Sequence, residues 1–374
     1  MDLTLGFLVE GILGTGAQVD LADRVISKAV VDSREAEPGS VFFAFKGEHA
    51  DGRQYVADAM ARGAIAAVVE GERGVYPAPC CGRGAVVVQV EDTLRALQAV
   101  AARWRRVLPA EAIGITGSIG KTLTRELVAK VLARQFCVHK SGRNQNNEIG
   151  LPLTLLGLRP EHQYAVLEMG MYALGEIACL ASIALPRIGI VTNVGPTHLE
   201  RLGSIERIAQ AKAELIAALP KDGLAILNGD DWRVRSMASA APCDVLTYGF
   251  AAGNDLRAAE LEDGGLDGLT MRVLWEGEQV PLEAPLPGRH NAYAVLAAVA
   301  TGLSLGVGWS DIAAGLRDSA DCSRLKVLEA GGIRILDDTY NAAPASTLAA
   351  LEVLGGLGGR RVAVLGDRRE LGDY

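Results

Sequence analysis

Short apolar runs alternate with amphipathic stretches along most of the chain. The runs at residues 112–116, 165–168 and 188–192 have the length and composition of buried strands. Between such runs, residues 121–135 and 204–219 repeat apolar positions at helical spacing. Buried strands that alternate with helices are typical of parallel βαβ units, in which helices cover both faces of the sheet. We therefore predict an α/β protein with a parallel sheet.

The pattern divides the chain into three sections. The first ends at a Leu-Pro-Ala sequence that we interpret as a linker, and we place an N-terminal domain at residues 1–108. The second section, residues 109–322, repeats strand and helix, except that period-two alternation over residues 248–285 predicts a small antiparallel part. In residues 323–374 the strand–helix pattern restarts. We expect this section to be the start of a truncated C-terminal α/β domain, because it is short for an independent core.

Three other stretches affect this interpretation. Residues 291–310 carry no charge, but they include Asn291 and several glycines, so we expect a buried helix and no membrane span. Residues 76–84 contain prolines and glycines and predict a loop. The apolar run at residues 361–365 predicts a strand.

Composition narrows the function classes. Hydrophobic residues make up 49% of the 374 residues and charged residues 22%, which excludes an intrinsically disordered protein. The formal net charge is −8, and basic residues are interspersed with acidic ones, so we expect no nucleic-acid partner. The six cysteines form no Cys-x-x-Cys pair, and the N-terminus has no positively charged signal region. We expect a cytoplasmic monomer with reduced thiols.

A glycine-rich loop connects one predicted strand to the helix that follows it. The loop contains Gly117, Ser118 and Gly120, and Lys121 and Thr122 follow at the start of the helix. Backbone N–H groups of such a turn, together with the helix N-terminus, form a cradle for phosphate oxygens. Lys121 is expected to reach the terminal phosphates of a nucleotide, and the Thr122 hydroxyl to ligate Mg²⁺. The loop is shorter than the common Gly-x-x-x-x-Gly-Lys-Ser/Thr pattern, but its strand–loop–helix context predicts phosphate binding.

Two further polar residues follow predicted strands of the same sheet. Glu168 ends the strand at residues 165–168, where a carboxylate can hold Mg²⁺ against nucleotide phosphates. His198 lies in a loop with glycine and proline, after the strand at residues 188–192. Because α/β sheets place ligands at the loops after their strands, both residues are candidates for the nucleotide site.

Seven motifs in order along the chain resemble those of the Mur ligases and their relatives, the folylpolyglutamate synthetases. The motifs lie at residues 116–122, 144–156, 166–170, 192–203, 211–214, 287–291 and 337–341. The segment 144–156 is similar to the segment that marks one branch of the family, the ligases that add D-alanyl-D-alanine to a UDP-N-acetylmuramoyl-tripeptide. The sequence Asp-Ser-Arg at residues 32–34 resembles part of the family's UDP-binding domain.

The resemblance implies a three-domain Mur ligase architecture, with a central P-loop ATPase domain built on a parallel sheet. It also implies an ATP-dependent amide ligase of peptidoglycan precursor synthesis. Such an enzyme joins D-alanyl-D-alanine to UDP-N-acetylmuramoyl-tripeptide through an acyl phosphate and releases ADP and phosphate. ATP and two Mg²⁺ ions are the cofactors that the resemblance implies, and the two small molecules are the partners.

The resemblance assigns catalytic roles to four residues and metal roles to four. The catalytic residues are Lys121, Glu168, His198 and Lys212. Thr122, Glu168, His198 and Lys212 are the metal ligands. Composition alone makes Lys212 a solvated lysine of an amphipathic helix, whereas the resemblance implies that CO₂ carbamylates it and so converts a cation into an anionic ligand.

Further residues receive binding roles from the resemblance. Asn291 would contact the adenine of ATP, Asp338 the ribose and Arg324 the γ-phosphate, in addition to the phosphate-binding loop. The residues assigned to the UDP-linked substrate are Ser33, Arg34, Asn146 and Asn147. The chain departs from the usual family residues at Ala294, Ala343, Ser323 and Arg368.

Three alternatives remain open from the sequence. A ligase that adds the third amino acid of the peptide has related motifs, although the segment 144–156 argues against it. A non-catalytic nucleotide-binding paralogue or fragment agrees with the departures in the adenine and C-terminal regions, whereas the phosphate and metal residues oppose it. A P-loop kinase or GTPase is the third, and the chain has no guanine-reading Asn-Lys-x-Asp sequence.

Overall fold

The computed structural model describes residues 2–14, 22–47, 50–78, 84–197, 199–323, 325–341 and 343–366. The chain forms two compact units. The first unit comprises Met1–Ala110, Ser141–Gln163 and Ser182–Leu185, and the second comprises Glu111–Lys140, Tyr164–Ala181 and Pro186–Tyr374. The segment 141–163 therefore returns to the N-terminal unit. The domain boundaries at 108/109 and 322/323 stay a prediction.

Both units contain helices and strands. The helices are α1 (Leu5–Leu13), α2 (Val56–Ala61), α3 (Thr93–Val107), α4 (Lys121–Leu132), α5 (Gly150–Leu156), α6 (Glu176–Ala184), α7 (Leu199–Leu202), α8 (Ile205–Ala217), α9 (Trp232–Ser236), α10 (Ala292–Ser304), α11 (Trp309–Arg317) and α12 (Pro344–Gly356). The strands are β1 (Ala29–Val30), β2 (Val41–Phe43), β3 (Ala66–Glu70), β4 (Gly74–Pro77), β5 (Val86–Val90), β6 (Glu111–Thr116), β7 (Val138–Lys140), β8 (Tyr164–Glu168), β9 (Pro186–Val191), β10 (Leu224–Asn228), β11 (Asp244–Gly249), β12 (Leu256–Asp263), β13 (Leu269–Trp275), β14 (Glu278–Ala284), β15 (Lys326–Ala330) and β16 (Ile333–Asp337).

The first unit contains a five-stranded sheet in the order β1–β2–β3–β5–β4. Its strands pair in parallel except at the edge, where β4 runs antiparallel to β5. The predicted loop over residues 76–84 is therefore wrong at its start, because Tyr76 and Pro77 belong to β4. Proline has no N–H to give to a ladder, and an edge strand is where a sheet accepts it.

Helix α3 joins the returning segment to the N-terminal unit. The Asp92 carboxylate caps the helix by accepting a hydrogen bond from the Arg95 backbone N–H at 2.9 Å. Trp104 is fully buried, and its indole N–H donates to the Leu158 carbonyl at 3.1 Å. The segment that contains α5 is thus held by a buried hydrogen bond as well as by apolar packing.

The second unit contains a nine-stranded sheet in the order β14–β13–β12–β11–β10–β9–β6–β8–β7. In this order, every neighbouring pair between β12 and β7 is parallel. Strand β13 pairs antiparallel with both β12 and β14. The predicted α/β fold is confirmed, as is the antiparallel part within residues 248–285. Helix α10, buried along most of its length, packs against α4. In the described ranges, no helix is long and apolar enough to span a membrane.

The described C-terminal residues form a small sheet and one helix. Strands β15 and β16 pair antiparallel with each other, and α12 follows. The strand predicted at residues 361–365 is wrong, because residues 361–366 adopt no regular structure. Val364 there is 93% exposed. An apolar run becomes a strand only beside another strand, and the described part of the chain offers this run no ladder partner.

Candidate active site

The loop at residues 117–120, which is predicted to bind phosphate, follows the carboxyl end of β6. Strand β6 is an interior strand of the nine-stranded sheet. Strand β6 pairs with β8 on one side and β9 on the other. The chain leaves β6 toward β7 at one edge of the sheet, and leaves β9 toward β10 in the opposite direction. Ligands of open α/β sheets bind at such a change of direction. The loop therefore lies near Glu168 at the end of β8 and near residues 192–195 after β9. All three are at the carboxyl ends of neighbouring strands.

Glycine is required at position 117 for two reasons. The φ angle of Gly117 is +151°, and a Cβ atom built there would lie 1.9 Å from Oγ1 of Thr192. Thr192 itself is held in place, because its hydroxyl donates to the Ile119 carbonyl at 2.7 Å. The chain that follows β9 can therefore approach the loop only where no side chain is present.

Asn193 holds the loop through both atoms of its side-chain amide. Its Oδ1 accepts from the Ile119 N–H and its Nδ2 donates to the Ile119 carbonyl, both at 2.9 Å. The Ser118 hydroxyl adds a bond of 3.0 Å to the Gly195 carbonyl. The loop is thus fixed before any ligand binds. Asn193 was not predicted to be functional from the sequence, although it lies in the motif at residues 192–203.

Lys121 is the first residue of α4, and its ammonium lies over the loop. The Nζ atom donates to the carbonyl oxygens of Gly117 at 2.6 Å and Ser118 at 3.3 Å. Gly120, with φ +85°, turns the chain into the helix. The first N–H groups of a helix have no acceptor within it, so α4 presents donors and a positive dipole end beside this ammonium. Such an arrangement suits an anionic phosphate.

Thr122 and Glu168 are in direct contact. The Thr122 hydroxyl donates to Oε2 of Glu168 at 3.0 Å, and Glu168 is only 4% exposed. Neighbouring ligands of an octahedral Mg²⁺, with bonds of about 2.1 Å, are about 3.0 Å apart, so the two oxygens fit this ion. In the described ranges, no group of three or more His, Cys, Asp or Glu side chains could hold a metal ion. Thr122 and Glu168 would contribute a hydroxyl and a carboxylate to a metal site here.

Lys212 is buried on the inner face of α8. Ile208, Leu215 and Ile216 of the same helix are also buried, and Lys212 is only 2% exposed. The helix reaches the sheet closely because β6 contains a glycine, Gly114, where a Cβ atom would lie 2.8 Å from Leu215. The expectation of a solvated lysine, based on composition, is therefore wrong.

The environment of Lys212 disfavours its charged form. Burial, together with repulsion by the Lys121 ammonium, holds the pKa of Lys212 well below its usual range. Its ammonium makes no hydrogen bond or ion pair with the described residues. A buried amine of this kind loses its proton more easily than an exposed lysine, and the neutral amine is a nucleophile.

The other expected nucleotide residues differ in what the structure says of them. His198 and Arg324 lie outside the described residues. Asn291 is buried at the start of α10, where its Nδ2 donates to the Pro287 carbonyl at 2.7 Å rather than capping the helix. Asp338 follows β16 directly and is half-buried. The contacts of Asn291, Arg324 and Asp338 with ATP stay predictions, as does the role of His198 as a metal ligand.

The expected UDP-binding residues Ser33 and Arg34 lie in the first unit, in a short 3₁₀ helix at Ser33–Glu35. The Arg34 guanidinium forms a double-pronged pair with Asp32, at 2.9 Å and 2.6 Å. Hydrogen bonds from Arg34 lower the pKa of Asp32 to about 2. Ser33 is buried, and its hydroxyl lowers the pKa of the Asp58 carboxyl through a hydrogen bond. The exposed guanidinium of Arg34 is thus already oriented by Asp32.

Asn146 and Asn147 also lie in the first unit, in the loop before α5. The Asn147 Oδ1 accepts from the Gly150 N–H at 2.8 Å and from the Ile149 N–H at 3.3 Å. The side chain therefore stabilises the start of α5, and its role in substrate binding stays a prediction, as does that of Asn146. The four residues expected to bind the UDP-linked substrate thus lie in one compact unit, and the loop, Glu168 and Lys212 in the other.

Comparison with known proteins decides the family. Residues 115–302 match the model of the Mur ligase middle domain, and residues 26–105 match the Mur ligase family, catalytic domain. The chain belongs to the Mur ligase family. Its sequence motifs, its central parallel sheet and its phosphate-binding loop all agree with this membership.

Several individual proteins are similar to this Mur ligase over most of its length. The UDP-N-acetylmuramoyl-tripeptide–D-alanyl-D-alanine ligase of Synechocystis is 42% identical over 93% of this chain and 74% of its own length. The crystal structure of MurF from Acinetobacter baumannii superposes with a TM-score of 0.86 at 32% identity, covering 100% of this chain and 81% of that one. MurF of Thermotoga maritima, solved with ADP, gives 0.77 at 28% identity, covering 92% and 78%.

These findings make the Mur ligase an ATP-dependent ligase of peptidoglycan biosynthesis. One departure from the usual family residues can be placed in the fold. Ala294 lies in the first turn of α10 and is buried in the core of the second unit. An asparagine at this depth would need hydrogen-bond partners, whereas alanine needs none.

Proposed function

We propose that the chain joins D-alanyl-D-alanine to UDP-N-acetylmuramoyl-tripeptide. In the first step, an oxygen of the terminal carboxylate of the tripeptide attacks the γ-phosphorus of ATP, and ADP leaves. In the second step, the amine of D-alanyl-D-alanine attacks the carbonyl carbon of the acyl phosphate and loses a proton. Phosphate then leaves with the oxygen that came from the carboxylate, and an amide bond remains. The names of the relatives support this choice of substrates.

The observation that carries the proposal is the meeting of Lys121, Thr122 and Glu168 at the carboxyl ends of β6 and β8. A cation, a hydroxyl and a buried carboxylate lie beside donors of a helix N-terminus, within a loop that Asn193 fixes in advance. Phosphoryl transfer depends mainly on positioning and on neutralising the charge of the transferred group. A preformed loop supplies the positioning, and Lys121 supplies part of the charge.

Thr122 and Glu168 would hold a Mg²⁺ ion, with His198 as a further ligand. When bound, the ion would neutralise phosphate charge and orient the γ-phosphate. The Lys121 ammonium would turn from the carbonyl oxygens of Gly117 and Ser118 toward the phosphates. Two Mg²⁺ ions remain our proposal, and the second would require an anionic ligand.

Lys212 would supply that anionic ligand as a carbamate. The neutral amine nitrogen attacks the carbon of CO₂, a nitrogen–carbon bond forms and a proton leaves to solvent. The product carries a negative charge, which converts repulsion between Lys212 and Lys121 into attraction. The burial of Lys212 and its lowered pKa favour this reaction, because only the free amine attacks CO₂.

The first unit would bind the UDP part of the substrate through Ser33 and Arg34, and the peptide part through Asn146 and Asn147. We propose that the enzyme acts in the cytoplasm, since ATP and the UDP-linked substrate are available there. We also propose that it acts as a monomer. Asn291, Asp338 and Arg324 would bind the nucleoside and the γ-phosphate of ATP.

Phosphate release from MgATP tests the proposal. The purified chain should release phosphate only when UDP-N-acetylmuramoyl-tripeptide and D-alanyl-D-alanine are both present, and Lys121→Ala should remove the release. Release with UDP-N-acetylmuramoyl-dipeptide and a diamino acid instead would favour a ligase that adds the third residue. ATP binding without any release would favour a non-catalytic nucleotide-binding protein.

A further inference from the structure

A buried arginine contacts the carboxylate of Glu168, the candidate metal ligand. Arg125, in the second turn of α4, is 2% exposed, and its Nη1 lies 3.3 Å from Oε2 of Glu168. The same Oε2 atom accepts from the Thr122 hydroxyl at 3.0 Å. Two donors from consecutive turns of α4 therefore converge on one oxygen of Glu168.

A second carboxylate holds the other side of the guanidinium. Nη2 of Arg125 lies 2.5 Å from Oε1 of Glu126, and the Lys140 ammonium on β7 pairs with the same carboxylate. The group contains two cations and two anions, so their formal charges cancel. An arginine buried between two carboxylates has a fixed orientation, because its planar fork bonds each of them through a different nitrogen.

We propose that Arg125 is a positioning residue for the metal site, holding the Glu168 carboxylate in the orientation that Mg²⁺ requires. The inference rests on the proposed role of Glu168 as a metal ligand. Mg²⁺ demands near-ideal octahedral geometry, so a carboxylate that is free to rotate binds it less well than one that is fixed. Arg125 would act through Glu168, because its Nη1 donates to Oε2 of that carboxylate while its Nη2 is held by Glu126.

Nucleotide affinity with and without metal provides the test. A non-hydrolysable ATP analogue is titrated calorimetrically into each protein, once in EDTA and once in MgCl₂, and the ratio of the two dissociation constants gives the gain due to Mg²⁺. Arg125→Met should bind the analogue in EDTA as the parent protein does. Its gain due to Mg²⁺ should fall roughly 10–100-fold, the usual effect of removing a residue that orients a metal ligand.

Two further variants separate positioning from a loss of folding. Arg125→Lys keeps a cation but lacks the planar fork that bonds each carboxylate through its own nitrogen, so it should show an intermediate gain due to Mg²⁺. Arg105→Met serves as the matched control, because Arg105 is also buried and donates to the Ala184 carbonyl at 2.8 Å. It should keep the full gain.

The outcomes distinguish this inference from the metal site itself. An unchanged gain in a folded Arg125→Met or Arg125→Lys protein overturns the role of Arg125. If the parent protein shows no gain with Mg²⁺, the proposed metal site fails as well. If Arg125→Met does not fold, the Arg125→Lys measurement decides.

Discussion

Lys212 of this Mur ligase is buried with Lys121 as its repelling neighbour, and this neighbour helps to hold the pKa of Lys212 well below the usual range. Such a pair would be unfavourable if both residues stayed charged. The proposed phosphate-binding role of Lys121 requires its charge. Lys212 is therefore the member whose charge state must change, and a carbamate there would satisfy both residues.

Replacing Lys212 tests this directly. Lys212→Ala should abolish turnover, because the anionic ligand is lost, and added short-chain carboxylates should partly restore the phosphate-release rate. Lys221→Ala is the matched control, since Lys221 is exposed in the turn after α8 and should leave the rate unchanged. Full activity of Lys212→Ala would contradict the carbamate. The ¹³C NMR signal of a carbamate after exposure to ¹³CO₂ should be present in the parent protein and absent from Lys212→Ala.

The lowered pKa of Lys212 also predicts how stability depends on pH. In CO₂-depleted buffer, the unfolded chain binds a proton at Lys212 up to its ordinary pKa, whereas the folded chain releases it at lower pH. The unfolded state therefore binds more protons between the two pKa values, and stability rises with pH through that window. Lys212→Met lacks this contribution. The free energy of unfolding of the parent protein should gain on that of Lys212→Met as pH rises, and identical pH slopes would refute the buried amine.

Thr122 should affect nucleotide binding through the metal. Thr122→Ala removes the hydroxyl that contacts Glu168, so the dissociation constant for MgATP should rise well beyond any effect of lost stability. Thr122→Ser keeps the hydroxyl and should bind nearly as the parent protein does. Isothermal titration with MgATP measures both. An unchanged affinity in Thr122→Ala would count against the assignment of the loop.

The tight approach at Gly117 predicts a local steric effect. Gly117→Ala would place a Cβ atom against Thr192 and force an unfavourable φ angle, so the loop should move and nucleotide affinity should be largely lost. Gly195→Ala is the matched control from the same edge of the sheet, because the nearest atom to its Cβ position is 3.7 Å away. Its nucleotide affinity should stay near that of the parent protein. Equal affinities for both variants would show that the close contact does not position the loop.

The burial of Lys212 could be predicted only in part from the sequence. Ile208, Lys212 and Ile216 are four residues apart, so the helical period alone puts Lys212 on the apolar face. Composition argues the opposite, and only the structure decides between them. The depth of burial depends on glycines of β6 and β9, Gly114 and Gly189, which let α8 approach the sheet. This packing joins segments far apart in sequence, and no local pattern reveals it.

The same reason explains the residues that the sequence analysis missed. Arg125 lies in α4, whereas its partner Glu168 lies on β8, far away in sequence. Asn193, which bonds to Ile119, lies in the loop after β9, the neighbour of β6. The buried strands and long helices were predictable because their pattern is local. Helix α5 was not predicted from its pattern, since it is short and packs on α3 only after the chain returns to the first unit.

The most direct test of the central claim follows one oxygen atom. UDP-N-acetylmuramoyl-tripeptide with ¹⁸O in its terminal carboxylate is incubated with the enzyme, MgATP and D-alanyl-D-alanine, and the released phosphate is analysed by mass spectrometry. A ligase that forms an acyl phosphate transfers one carboxylate oxygen to phosphate, so each phosphate should carry one ¹⁸O atom beside an equal amount of new amide product. Unlabelled phosphate, or phosphate without amide product, would contradict the account.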